Sequence, residues 1–113
     1  MTLCEVTYPS KFNEDPLTMK LMDEYIKCRL RSTALYFEIS KMDKINTEEI
    51  NELNRLLNFY DWTGDCVAEE FMRYLSFTIG SEEEIKEYME KLEIRCDISK
   101  WDETTEIQYI PLK

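Results

Sequence analysis

The stretch DPLTMKLMDEYIKCRLRSTALYFEISK, Asp15 to Lys41, decides the fold. Asp15 followed by Pro16 pairs an N-cap residue with proline at the first helical position. The carboxylate can accept an orphan backbone N–H, and proline has no N–H to lose. The pattern predicts a helix from Pro16 to about Lys41. Projected at about 100° per residue, it shows two apolar stripes instead of one. Leu17, Leu21, Tyr25, Cys28, Leu35 and Ile39 form the first. Met19, Met22, Ile26, Leu30, Thr33 and Phe37 form the second, leaving Lys20, Asp23, Lys27, Arg31 and Glu38 as the solvated strip. Each large side chain left in water forfeits roughly 1.5–3 kcal/mol, so this helix is expected to be central and packed on two sides. The alternative is that one stripe is a dimer face or a binding groove.

Working outward, Thr2 to Tyr8 alternates and is β-prone, and Pro9 and Ser10 end it, which predicts an N-terminal strand followed by a loop from Lys11 to Asp15. Downstream, Asn46 and Glu49 match a capping box, with Ile45 and Ile50 placed for a hydrophobic staple. The helix they start carries Ile50, Leu53, Leu57 and Tyr60 on one face. A break is expected over Asp61, Trp62, Thr63 and Gly64, then a third helix from about Asp65, with Val67, Phe71, Tyr74, Leu75 and Thr78 inward, ending at Gly80. Ser81 and Glu84 form a second capping box, opening a short helix with Ile85, Tyr88, Met89 and Leu92 on one face. The period then changes to two. Ile94, Cys96 and Ile98 alternate with charged residues, as do Ile107 and Tyr109 with Glu106 and Gln108, predicting a hairpin turning through Lys100, Trp101 and Asp102. An isolated hairpin is marginal in water, so it is expected to join the N-terminal strand against the first helix. The expected fold is α+β and helix-dominated, with about four helices and a small sheet made by the N-terminal strand and a C-terminal hairpin. Residues 1–113 are read as one compact domain.

Composition limits the function. With 43% hydrophobic and 34% charged residues, the chain can bury a core, and two glycines favour long helices over a many-stranded fold. The N-terminus has no basic flank and no long apolar run, so neither a signal peptide nor a membrane span is expected. Cys4, Cys28, Cys66 and Cys96 are scattered, none in a C-x-x-C pair. They are expected to be reduced, mostly buried thiols in a cytoplasmic, reducing compartment, with no metal site. The chain contains no histidine, which removes Ser-His and Cys-His nucleophile pairs, His-ligated zinc and the usual neutral-pH general base. No glycine-rich phosphate loop occurs. Asp61 and Asp65 are the best local carboxylate pair, and aspartates flanking a helix break are expected to cap and turn. A non-enzymatic protein without cofactors is the expectation.

Charge is distributed unevenly. Residues 1–45 hold seven acidic and seven basic side chains, whereas the rest of the 24 acidic and 14 basic residues give the segment from 46 onward the whole net charge of −10. Direct binding to nucleic acid or to an anionic membrane is disfavoured, because both depend on lysine and arginine. An acidic surface fits a basic protein surface, for instance the nucleic-acid channel of a processing enzyme, occupied by imitating DNA charge in the manner of a viral or phage accessory inhibitor. Glu83, Glu87 and Glu90, thickened by Glu84, form one helical edge for this role. Asp61, Trp62 and Asp65 at the expected break, and Trp101, Asp102 and Glu103 in the expected hairpin loop, are the other partner-binding candidates, with tryptophan the favoured anchor. The alternative is an assembly subunit that oligomerises through the first helix at Met19, Met22, Ile26 and Phe37.

Overall fold

The computed structural model describes residues 3–10, 15–42 and 47–112. Helix α1 spans Pro16–Lys41, with the Asp15 side chain accepting from the Leu17 N–H at 3.0 Å. The second carboxylate oxygen of Asp15 accepts from the Tyr74 hydroxyl, so the residue that starts α1 also ties it to the next helix. The entry loop from Lys11 to Glu14, and Ile45 and Asn46 of the staple and capping box, lie outside the described residues.

Helix α2 runs without interruption over Thr47–Thr78, 32 residues. The break expected at Asp61–Gly64 is not there, and the described residues form three α-helices, not about four. Aspartate and glycine inside a helix each cost about 1 kcal/mol or less, too little to stop one whose neighbours propagate and pack. Gly64 is used for approach: a Cβ placed on it would lie 3.5 Å from the Cys28 Cβ of α1. The true stop is Gly80, in the left-handed region at φ 79°. Ser81 then caps helix α3, Glu82–Lys91, accepting from the Glu84 N–H at 3.5 Å. At about 1.5 Å rise per residue, α2 is long enough to account for the molecule's 50 Å longest dimension.

The sheet departs from the expected hairpin. Its strands are β1 (Leu3–Pro9), β2 (Glu93–Arg95) and β3 (Glu106–Leu112), in the spatial order β2-β1-β3. Strand β1 is antiparallel to β2, with Val6 opposite Ile94, and parallel to β3, with Val6 opposite Tyr109. The two C-terminal strands therefore never pair with each other. Strand β1 carries the buried residues Cys4, Val6 and Thr7, whereas Glu93 and Arg95 of β2 and Glu106 and Gln108 of β3 are exposed. The most buried strand takes the centre and the charged ones take the edges. The alternation also ends sooner than expected. Ile98–Lys100 winds into a 3₁₀ turn, because the Asp97 carboxylate accepts from both the Ser99 N–H (3.2 Å) and its hydroxyl (2.6 Å).

Four reduced thiols were expected, and that is corrected: Cys4 and Cys96 are joined in a disulfide, while Cys28 is free and buried and Cys66 free and exposed. Pairing of Glu5 with Arg95 sets the next residues outward, Cys4 and Cys96, opposite each other at a Cα separation of 4.5 Å. Their 92-residue separation in sequence hides a juxtaposition that only strand register reveals.

Between Thr18 and Leu30 both stripes of α1 are covered from within the chain. On the first, Tyr25 packs against Phe71 of α2 with ring centroids 5.9 Å apart. On the second, Met22, Ile26 and Leu30 join Cys4 and Val6 of β1 and Ile85 and Tyr88 of α3 in one core. The Tyr88 hydroxyl donates to the Met22 sulfur at 3.7 Å. Of the assembly face considered on α1, Met22 and Ile26 are completely buried, and Met19 and Phe37 are half-buried. Of the strip expected to be solvated, Asp23 and Arg31 are half-buried. The Tyr109 hydroxyl donates to Asp23, and Arg31 pairs with Glu103. The buried residues of α1 lie between Thr18 and Leu30, and those of α2 are Phe71 and Leu75. Beyond them, the rest of α1 and the first half of α2 carry no fully buried residue among those described.

Candidate protein-interaction surface

The partner-binding candidates fall in three separate places. On α3, Ile85 and Tyr88 are buried, and Glu83, Glu87 and Glu90 are exposed on the opposite side of the same short helix, flanked by exposed Glu84. Three acidic residues in the first turn also suit the positive end of the helix dipole. Glu87 is partly neutralised by Lys91 at 2.7 Å. Among the described residues, Glu83, Glu84 and Glu90 form no ion pair.

Asp61 and Asp65 do not flank a break. They are exposed on consecutive turns of α2 and line a cleft of about 320 Å³ at its seam with α1. Arg29 enters the same cleft, held 5.7 Å above the Tyr25 ring and donating to the Tyr25 hydroxyl at 2.8 Å. A cation and two carboxylates thus share one opening without an ion pair among the described residues.

Trp101, Asp102 and Glu103 line another cleft, of about 310 Å³, with Arg31, Leu35 and Leu56. Tyr60 borders both clefts. Here most of the chemistry is already committed. Glu103 takes the Arg31 guanidinium through both oxygens, at 3.1 and 3.2 Å, and this bond holds the arginine above its ordinary pKa. The Asp102 carboxylate accepts from the Thr104 hydroxyl and from its N–H at 2.7 Å, bonds that lower its pKa and form the turn before β3. Trp101 is half-buried against the core. These residues brace the C-terminal segment on α1.

Trp62 stands apart from both clefts. It is 67% exposed on the side of α2 turned away from the core, in line with Phe59 (56%) and Phe77 (87%). Phe77 was missed in the sequence, because splitting α2 at Gly64 conceals that residues 59, 62 and 77 share one face. The strongest proton-affinity change belongs to Tyr109, whose hydroxyl is pushed well above the ordinary tyrosine range by burial and by its bond to Asp23. That pair joins β3 to α1. Among the described residues, no group of three or more cysteine, aspartate or glutamate side chains gathers to hold a metal ion, and no helix is long and apolar enough to cross a membrane. Comparison with protein-family models, curated proteins and solved structures finds no match to this chain.

Proposed function

We propose that this protein is an acidic, non-enzymatic binding module that sets the solvent face of α3 against a basic surface of another protein. The observation that carries this is the placement of Glu83, Glu87 and Glu90 directly behind the buried pair Ile85 and Tyr88 on a capped, core-anchored helix. A rigid helix presents its charges with little ordering entropy left to lose on binding. Successive carboxylates rise by roughly 6 and 4.5 Å along the axis, a single line of negative charge like that of a nucleic-acid strand, though sparser than its one phosphate per about 3.4 Å of axis. The fitting partner is therefore the nucleic-acid channel of a processing enzyme, which this face would block. The net charge of −10 argues against direct binding to nucleic acid or to an anionic membrane. We place this activity inside the cell, where the half-buried Cys96, and not the completely buried Cys4, would be the accessible half of the cystine.

The test is crosslinking capture from the native cell, followed by titration of the purified partner at about 50 and about 300 mM salt, a range over which exposed charges become screened. Binding is expected to weaken at least tenfold at the higher salt and to vanish in the triple variant E83K/E87K/E90K. Affinity that is indifferent to both changes rejects the proposal.

A further inference from the structure

The solvent face of α2 carries exposed residues whose spacing is symmetric about one centre and whose chemistry is complementary across it. Starting from Cys66, which is free and exposed, exposed residues follow at four, seven and eleven positions on either side. Glu70 and Trp62 are the first pair, Arg73 and Phe59 the second, Phe77 and Arg55 the third. These steps of three and four keep all seven side chains on one helical stripe, about 33 Å long. The stripe lies opposite the core face of Phe71 and Leu75.

We infer that a second copy of this chain covers this stripe, with the two α2 helices antiparallel about a two-fold axis through Cys66. In that register every exposed aromatic meets a complementary group of the other copy. Phe59 faces an arginine at position 73, and Phe77 faces an arginine at position 55, both cation–π pairings. Trp62 faces a carboxylate at position 70, able to accept its indole N–H. Each contact occurs twice, as an isologous interface requires. A pattern placed for solubility alone has no reason to match arginine with aromatic on both sides of one centre.

The surface beside the stripe supports the same occupant. Leu17 and Leu21 of α1, with Tyr74 and Phe77 of α2, line a shallow apolar groove of about 380 Å³ whose polar wall is Glu70 and Arg73. The two-fold sets Phe59 and Trp62 of the second copy against that wall, beside the groove. Each copy thus offers both the aromatic anchors and the groove that takes them, and the anchors are the residue types that dominate interface energetics. Two chains of −10 repel, so this contact strengthens as salt rises, opposite to docking of α3 on a basic partner. The inference does not depend on that docking, and the sign of the salt response separates the two.

The experiment is light scattering on the purified chain up to about 100 μM, combined with mild oxidation by copper phenanthroline and non-reducing electrophoresis. A dimer is expected, tighter in high salt, that oxidation locks through Cys66. C66S should remain dimeric in solution and give no locked band. Trp62→Glu and Phe77→Glu change exposed residues, and circular dichroism checks that each retains its helix content. Each should weaken association at least about 30-fold, as loss of a hot-spot aromatic does. Phe59→Glu is a third variant with the same expectation. A monomer at about 100 μM overturns the inference. So does a dimer that survives these substitutions, or a wild-type dimer that oxidation does not lock through Cys66, since either would use another face.

Discussion

Replacing Gly64 with alanine tests whether α2 is one helix. If Asp61–Gly64 were a break, Gly64 would occupy a turn and a Cβ there would be unwelcome. In the continuous helix Gly64 has ordinary helical backbone, and its new Cβ would meet the Cys28 Cβ at 3.5 Å, an ordinary van der Waals separation. Alanine in a helix interior is favoured over glycine by about 0.8–1 kcal/mol, chiefly because the unfolded chain has less freedom to lose. The half-buried methyl adds a few tenths more. G64A is therefore expected to gain about 1 kcal/mol, raising Tm by about 3–5 °C for a domain of this size. Thermal and urea melts followed by far-ultraviolet circular dichroism, with the disulfide intact in both proteins, measure it. Gly80→Ala is the internal control. Its Cβ meets nothing within 4 Å, but φ is +79°, so it should lose about 1 kcal/mol from backbone strain alone. The two glycines should move stability in opposite directions. A drop of several degrees in G64A would refute both the continuous helix and the packing at Cys28.

Other consequences are equally concrete. Asp15→Ala removes the α1 cap and the acceptor of the Tyr74 hydroxyl, and should cost about 2–3 kcal/mol in urea unfolding, whereas Tyr74→Phe loses only the second bond and should cost about 1–2 kcal/mol. Burial and the bond to Asp23 raise the Tyr109 pKa when folded. The resulting stabilisation is complete below the unfolded tyrosine value of about 10 and is lost as pH climbs above it. Phenolate absorbance should accordingly show a Tyr109 transition above the ordinary tyrosine range, and Asp23→Asn should bring it back toward that range. Reducing the Cys4–Cys96 bond, or replacing both cysteines with serine, frees the chain ends and should lower stability by about 2–5 kcal/mol in urea melts, with C28S/C66S as the variant that retains the bond.

How much was legible in the sequence follows from the range of the interactions. Asp15 before Pro16, and Ser81 three residues ahead of Glu84, are local hydrogen-bonding instructions, and both caps formed where the sequence placed them. The two stripes of α1 also needed only a helical period to be seen, and both are packed between Thr18 and Leu30. Gly64 misled because the same residue that permits a turn also permits two helices to approach, and only the neighbour at Cys28 tells the cases apart. That error hid the aromatic line from Phe59 to Phe77, the largest exposed apolar feature of α2.

The strands divide the same way. Alternation in the tail correctly placed β-structure near Ile94 and Ile107, but alternation carries no address for a partner. The hairpin was the nearest pairing available, and it lost to insertion of β1, whose side chains had most to gain from burial on both edges. From that insertion came the Cys4–Cys96 bond and the commitment of Glu103 and Asp102 to Arg31 and Thr104. The sequence by itself determined α1 and α3 with their caps, the lack of histidine chemistry and the acidic second part of the chain, because each depends on composition or on neighbours a few residues away. Only the tertiary structure decided which strand is central, which cysteines meet and which charges stay free, because each depends on what lies opposite in space.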